Sequence, residues 1–128
     1  MSKKQTHGSR NQELSEKLYK EGKFLDWSIT TAFYSVIHYI EDKLLPYTHR
    51  DGTICKNVGE LKNCLNKKNA HAARRDMIKR HGNSHLYNNY DYIEQRAHEF
   101  RYLEYKVDKQ IAALVQKKMK EIKNLLYE

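Results

Sequence analysis

The chain's single proline, Pro46, closes the stretch that most constrains what the rest can fold into. That stretch, DWSITTAFYSVIHYIEDKLL over 26–45, reads as a helix of about five turns at 3.6 residues per turn. Asp26 is predicted to cap its start, since a carboxylate accepts from the first unpaired N–H groups. Pro46 stops it, having no N–H donor and disfavouring helix in the residue before it. Ile29, Phe33, Val36, Ile37, Ile40 and Leu44 recur at three- and four-residue spacing and share a face. Trp27, Tyr34, Tyr39 and Leu45 add apolar surface on other sides. A helix apolar on more than one side belongs in the middle of a domain, with the other elements packed around it.

Those other elements also read as helices. Five glycines and one proline in 128 residues favour long helices over a turn-rich β fold, and the length suits one domain. Residues 1–10 are polar and are expected to fray as a tail. A first helix is predicted over 11–21, with Gly22 at its C-cap and a short link that makes it antiparallel to the central helix. After Pro46 comes a loop, with a turn at Asp51-Gly52 and no alternating apolar run to support a hairpin. A short helix carries Val58, Leu61 and Leu65 behind an Asn57 cap. Another spans 70–81 between an Asn69 cap and Gly82. A turn-rich link precedes a helix over 90–107, striped by Tyr90, Ile93, Ala97, Phe100 and Leu103. Asp108 caps the last helix, whose core face is Ile111, Leu114, Val115, Met119, Ile122, Leu125 and Leu126. The expectation is an all-α, up-and-down bundle of four to five helices forming a single domain over 1–128.

A net charge of +8 favours polyanionic partners, nucleic acid first and an acidic protein surface next. No apolar run reaches the roughly 18 residues of a membrane span. Cys55 and Cys64 match no zinc or redox spacing and point to a reducing cytoplasm. Neither a glycine-rich phosphate loop, nor a G-x-S-x-G turn, nor an H-E-x-x-H pair occurs, and no metal or cofactor is expected. The functional density lies between 67 and 81. There Lys67, Lys68, Arg74, Arg75, Lys79 and Arg80 surround one acid, Asp76, with His71 and His81 beside them. Arginines next to histidines can hold a phosphodiester and move protons around it. Arg75 and His81 are six residues apart on one helix, so two chains meeting at a symmetry axis would present them to one phosphate more easily than one chain. His38, amid aromatics on the central helix, is either a hydrogen-bonded core histidine or a proton-transfer group.

Trp27, Phe33-Tyr34 and His38 resemble the W-x5-F-Y-x3-H pattern of HEPN-like helical domains. Tyr90, Ile93, Arg101 and Tyr102 are similar to that family's Y-x2-L-x3-S-x3-R-Y pattern, with Ala97 where serine is common. His71 and Arg74 resemble its H-x2-R. The resemblance implies a helical bundle, usually a homodimer. Many members are metal-independent RNases of toxin–antitoxin and phage-defence systems with an R-x4-6-H signature. Arg75 and His81 match that signature, as do Arg74 with His81 and Arg80 with His85. On this reading Arg75 and His81 are catalytic, and RNA or a nucleotide meets His71, Arg74, Lys67, Lys68, Lys79 and Arg80, with Arg101 a further candidate. The resemblance and the basic charge also imply a cognate antitoxin or other acidic protein as partner. Other members lack the motif and serve as non-catalytic binding or dimerisation modules. The two readings separate on whether Arg75 and His81 converge on an open cleft. A dimer of so basic a chain must bury apolar surface, for which the aromatics of the central helix and of the 90–107 helix are the source.

Overall fold

The computed structural model of the chain describes residues 1–102 and 107–128. The side chains at 100–106, and with them Arg101, Tyr102 and the predicted core positions Phe100 and Leu103, lie outside the described residues. The described elements are α1 (Lys3–Glu21), α2 (Leu25–Leu44), β1 (Tyr47–Thr48), β2 (Ile54–Cys55), α3 (Val58–Cys64), α4 (Ala70–His81), α5 (Ser84–Tyr102) and α6 (Lys109–Tyr127). The fold is an all-α helical bundle, with the short β1–β2 pair its only strands among the described residues.

The central helix is α2, which packs against α1, α4, α5 and α6. Ile29, Phe33, Val36 and Ile40 are fully buried, while Ile37 and Leu44 are half-buried. Leu45 leaves the helix in extended backbone, as its neighbour Pro46 requires. The start differs from expectation. Phe24 holds the N-cap position without a side-chain bond, and Asp26 lies inside the first turn. There its charge still opposes the positive end of the helix dipole.

The expected frayed tail is instead the first half of α1. Ser2 caps it, accepting from the Gln5 N–H. What seats this polar helix is a seam of small residues. Gly8 and Ser15 on α1 face Ser35 and Ser28 on α2. The Ser35 hydroxyl donates to the Gly8 carbonyl at 2.7 Å, and Ser15 and Ser28 donate to each other's carbonyls at 2.6 and 2.9 Å. Gln116 of α6 closes the seam, donating to Ser15 Oγ at 2.7 Å. Every polar group in the seam that is named here has a partner, so its burial is tolerated.

Two further departures have local causes. A hairpin does form after Pro46, pairing Tyr47 with Cys55 and Thr48 with Ile54. Its turn rests on Asp51 accepting from the Thr53 N–H and on Gly52 at φ 93°, so turn chemistry suffices without alternation. α5 begins at Ser84 rather than Tyr90, because Asn83 accepts from the Leu86 N–H and turns the presumed link into a helix start. The caps at Asn57, Asn69 and Asp108 and the glycine terminators Gly22 and Gly82 stand where predicted. On α6, Val115, Met119 and Ile122 are buried, but Leu114 and Leu125 are exposed.

Candidate functional site

α4 is a helix with little apolar surface, and its buried strip is Ala73, Arg74, Met77 and Ile78. The strip divides its remaining residues between two flanks. On one flank His71 and Arg75 stand one turn apart. Facing them from α5 are Glu94, Gln95 and His98, with Glu94 and His98 again one turn apart. Together with Phe33 of α2 these residues line a cavity of about 210 Å³. Phe33 is its buried floor, with ring centroids 5.9 Å from His71 and 6.2 Å from Tyr90. His71, Gln95 and His98 are exposed at its mouth.

Each charged group here is positioned by another. Arg75 Nη2 donates to Glu94 Oε1, and Tyr90 donates to Glu94 Oε2 at 2.6 Å. Burial raises the Tyr90 pKa, which keeps it a donor. The Arg75 Nε–H is buried without a hydrogen-bond partner among the described residues. Such an orphan donor costs about 1–3 kcal/mol until something accepts from it.

Arg74, predicted to contact substrate, is 5% exposed. Its Nε and Nη2 both donate to Glu41 Oε2, at 3.1 and 2.9 Å, and Nη1 lies 3.2 Å from His71 Nδ1. A guanidinium donates only, so Nδ1 must be the acceptor and the proton of the neutral imidazole sits on Nε2. Arg74 therefore reaches the cavity only through His71, whose tautomer it sets.

His81 lies elsewhere. With Arg80 and Met77 it forms one wall of a second cavity, of about 350 Å³, whose other wall is Leu44, Pro46, Tyr47 and Thr48. Arg75 and His81 diverge by about 120° around the helix, and in one chain they line different cavities. Around the second cavity, Arg80 donates to Asp76 at 3.1 Å, and Lys67 Nζ is 3.8 Å from the same carboxylate oxygen. Lys79 Nζ sits 5.6 Å from the Tyr87 ring centroid, and Lys68 is exposed in the link before α4. His38 belongs to neither cavity. It stacks on His7 of α1 with centroids 5.4 Å apart, and burial, then the charge of His7, lowers its pKa.

Sequence reasoning passed over Glu94, Gln95 and His98. The available signal was the one-turn spacing of Glu94 and His98 on the 90–107 helix, the same spacing that His71 and Arg75 show on theirs. Among the described residues no three His, Cys, Asp or Glu side chains are grouped to hold a metal ion, and no helix is long and apolar enough to cross a membrane. Compared with known proteins, the chain matches no family model, no curated protein and no solved structure.

Proposed function

We propose that the chain is a HEPN-like, metal-independent endoribonuclease whose chemistry runs in the cavity between α4 and α5. The observation that carries this reading is that two imidazoles and a guanidinium line one cavity over an aromatic floor. Histidine is the side chain best suited to exchange protons near neutral pH. His98 takes the proton of a ribose 2′-hydroxyl, and the oxygen attacks the adjacent phosphorus. The bond from phosphorus to the 5′ oxygen breaks, and the His98 imidazolium returns its proton to that oxygen. The products are a 2′,3′-cyclic phosphate and a free 5′-hydroxyl. Arg75 and the Nε2–H of His71 stabilise the charge that builds on the phosphoryl oxygens. Phe33 and Gln95 supply a ring face and an amide for the base. The chain acts in the cytoplasm as a homodimer.

The test is cleavage of single-stranded RNA in EDTA with end-group analysis of the products. Replacing His98 with alanine should lower the rate by about 10²-fold or more, the usual scale for loss of a general acid–base group. Full activity in that variant, or products ending in a 3′-hydroxyl, would reject the mechanism. Two observations favour a non-catalytic binding module instead: Arg75 and His81 line different cavities in one chain, and Glu94 already neutralises Arg75. On that reading RNA binds, cleavage is absent, and Glu94→Gln tightens binding by freeing the guanidinium.

A further inference from the structure

The second cavity stands on the same helix as the proposed cleavage site, and the question is what it holds. Its apolar lining comes from Leu44 and Pro46 on one wall and Met77 on the other. Its rim offers the phenol ring and hydroxyl of Tyr47, the hydroxyl of Thr48, the guanidinium of Arg80 and the imidazole of His81. Apolar walls beside rings and hydrogen-bonding edges suit a nucleobase, and the Arg80 guanidinium suits the phosphate attached to it. Its volume, about 350 Å³, exceeds the 210 Å³ of the first cavity.

The two cavities open on the same helix. Arg75 and His81 are six residues apart, about 9 Å along the helix axis and about 120° around it. Between the two flanks runs the outer surface of α4, where Lys79 and Arg80 are exposed. The one acid there, Asp76, is engaged by Lys67 and Arg80, so a phosphate backbone crossing this surface meets cations rather than a bare carboxylate.

We propose that the second cavity is a nucleotide subsite for the strand being cleaved: a single-stranded RNA crosses α4, its reactive phosphate in the first cavity and a flanking nucleotide in the second. This rests on the ribonuclease reading above. It gives His81 a role in substrate specificity and removes it from the chemistry. Single-stranded RNA is the implied substrate class, because a flanking base must leave its stack to enter the cavity.

The test compares KM for a hexanucleotide and a dinucleotide in the parent protein, in His81→Ala and in Thr48→Trp. Thr48 is exposed on a short strand, so a tryptophan there fills the cavity without entering the core. The parent should show a KM about tenfold lower for the hexanucleotide, the scale of one stacked base. Both variants should lose that advantage, their two KM values drawing together. An unchanged advantage in both variants overturns the subsite. So does a loss of kcat on the dinucleotide in His81→Ala approaching that of His98→Ala, which would return His81 to the chemistry. A parent that neither binds nor cleaves either RNA overturns the ribonuclease reading itself, a result distinct from an active parent with no preference for length.

Discussion

Replacing Gly8 with alanine tests whether the first half of α1 is docked. Two effects oppose each other. In a helix interior alanine is better than glycine by about 1 kcal/mol. If residues 1–10 frayed, the variant would be as stable as the parent or more so. In the docked helix a Cβ at position 8 would stand 2.6 Å from Tyr39 Cε1, 2.7 Å from Cδ1 and 3.2 Å from Cζ. The ring is poorly placed to yield. It is fully buried, its hydroxyl donates to Gln12 at 2.6 Å, and its edge meets Tyr127 at 5.4 Å between centroids. Overpacking of this kind costs about 1–3 kcal/mol, and α1 must also lift from the Ser35 hydroxyl that Gly8 accepts. The clash outweighs the propensity gain, for a net loss of about 1–2 kcal/mol and a Tm lower by about 3–8 °C at this chain length. Thermal and urea unfolding followed by far-UV circular dichroism would measure it, with the urea m-value unchanged. The sign should reverse in a Tyr39→Leu background, where the clashing ring atoms are gone and only the propensity gain remains. A Tm for Gly8→Ala equal to or above the parent's would refute the packing of α1 on α2.

Arg74→Ala leaves the Glu41 carboxylate without its closest cation and should cost about 3–5 kcal/mol, read as a lowered urea midpoint; a loss below 1 kcal/mol would mean the pair is not buried as described. His38 is held below its ordinary value of 6.5, first by burial and then by His7, with Lys4 and Arg74 acting in the same sense and Glu41 opposing. A depressed histidine contributes stability that is whole above the unfolded value and is lost as pH falls, so Tm should drop from pH 7.5 to 5.5 and drop less in His38→Gln. Equal slopes in the two proteins would acquit His38. Leu14, Phe24, Trp27 and Tyr34 are exposed on the α1–α2 pair, so Trp27→Lys should convert the proposed dimer to a monomer by light scattering; a parent that is monomeric at every concentration would rule out this assembly.

What could be read in the sequence was whatever declares itself through hydropathy or cap chemistry. α2 was legible because Ile29, Phe33, Val36 and Ile40 repeat with the helix period. α3, α4 and α6 were legible because Asn57, Asn69 and Asp108 cap them. The seating of α1 was not, because Gly8 and Ser15 carry no hydropathy signal. They are interior only because Tyr39 and Ser28 have shapes and hydrogen bonds that receive them. Arg74 shows the same limit from the other side. Counted with Lys67, Arg75 and Arg80 it looked like part of a basic surface, yet it stands one turn before Ile78 and beside Ala73, on the inward strip. Charge composition cannot say which cation faces inward. Helical phase can, provided a buried acid such as Glu41 waits on the neighbouring helix to receive it.

The candidate site divides along the same line. His71 and Arg75 are near in sequence, and their shared flank follows from the helix period alone. His98 lies 23 residues beyond Arg75 on another helix, and only the packing of α4 on α5 brings the two to one cavity. The spacing of Arg75 and His81 does not by itself bring the pair together in one chain. Six residues along a helix carry the second side chain about 120° around it, so a pair at this spacing converges only if the helix breaks or a second chain completes the site. α4 does not break: it is continuous from Ala70 to His81, and Gly82 ends it only after the histidine. A cleavage site built within one chain must then take its proton-transfer group from a residue other than His81, and the cavity holds two, His71 one turn before Arg75 on α4 and His98 from α5. A site shared between two chains would instead require His81 of one to reach Arg75 of the other. Mixing His81→Ala with Arg75→Ala protein separates the two cases. In a shared site the mixed dimers contain one intact pair and regain up to half the parent activity. In a site within one chain the mixture is no more active than the sum of its parts.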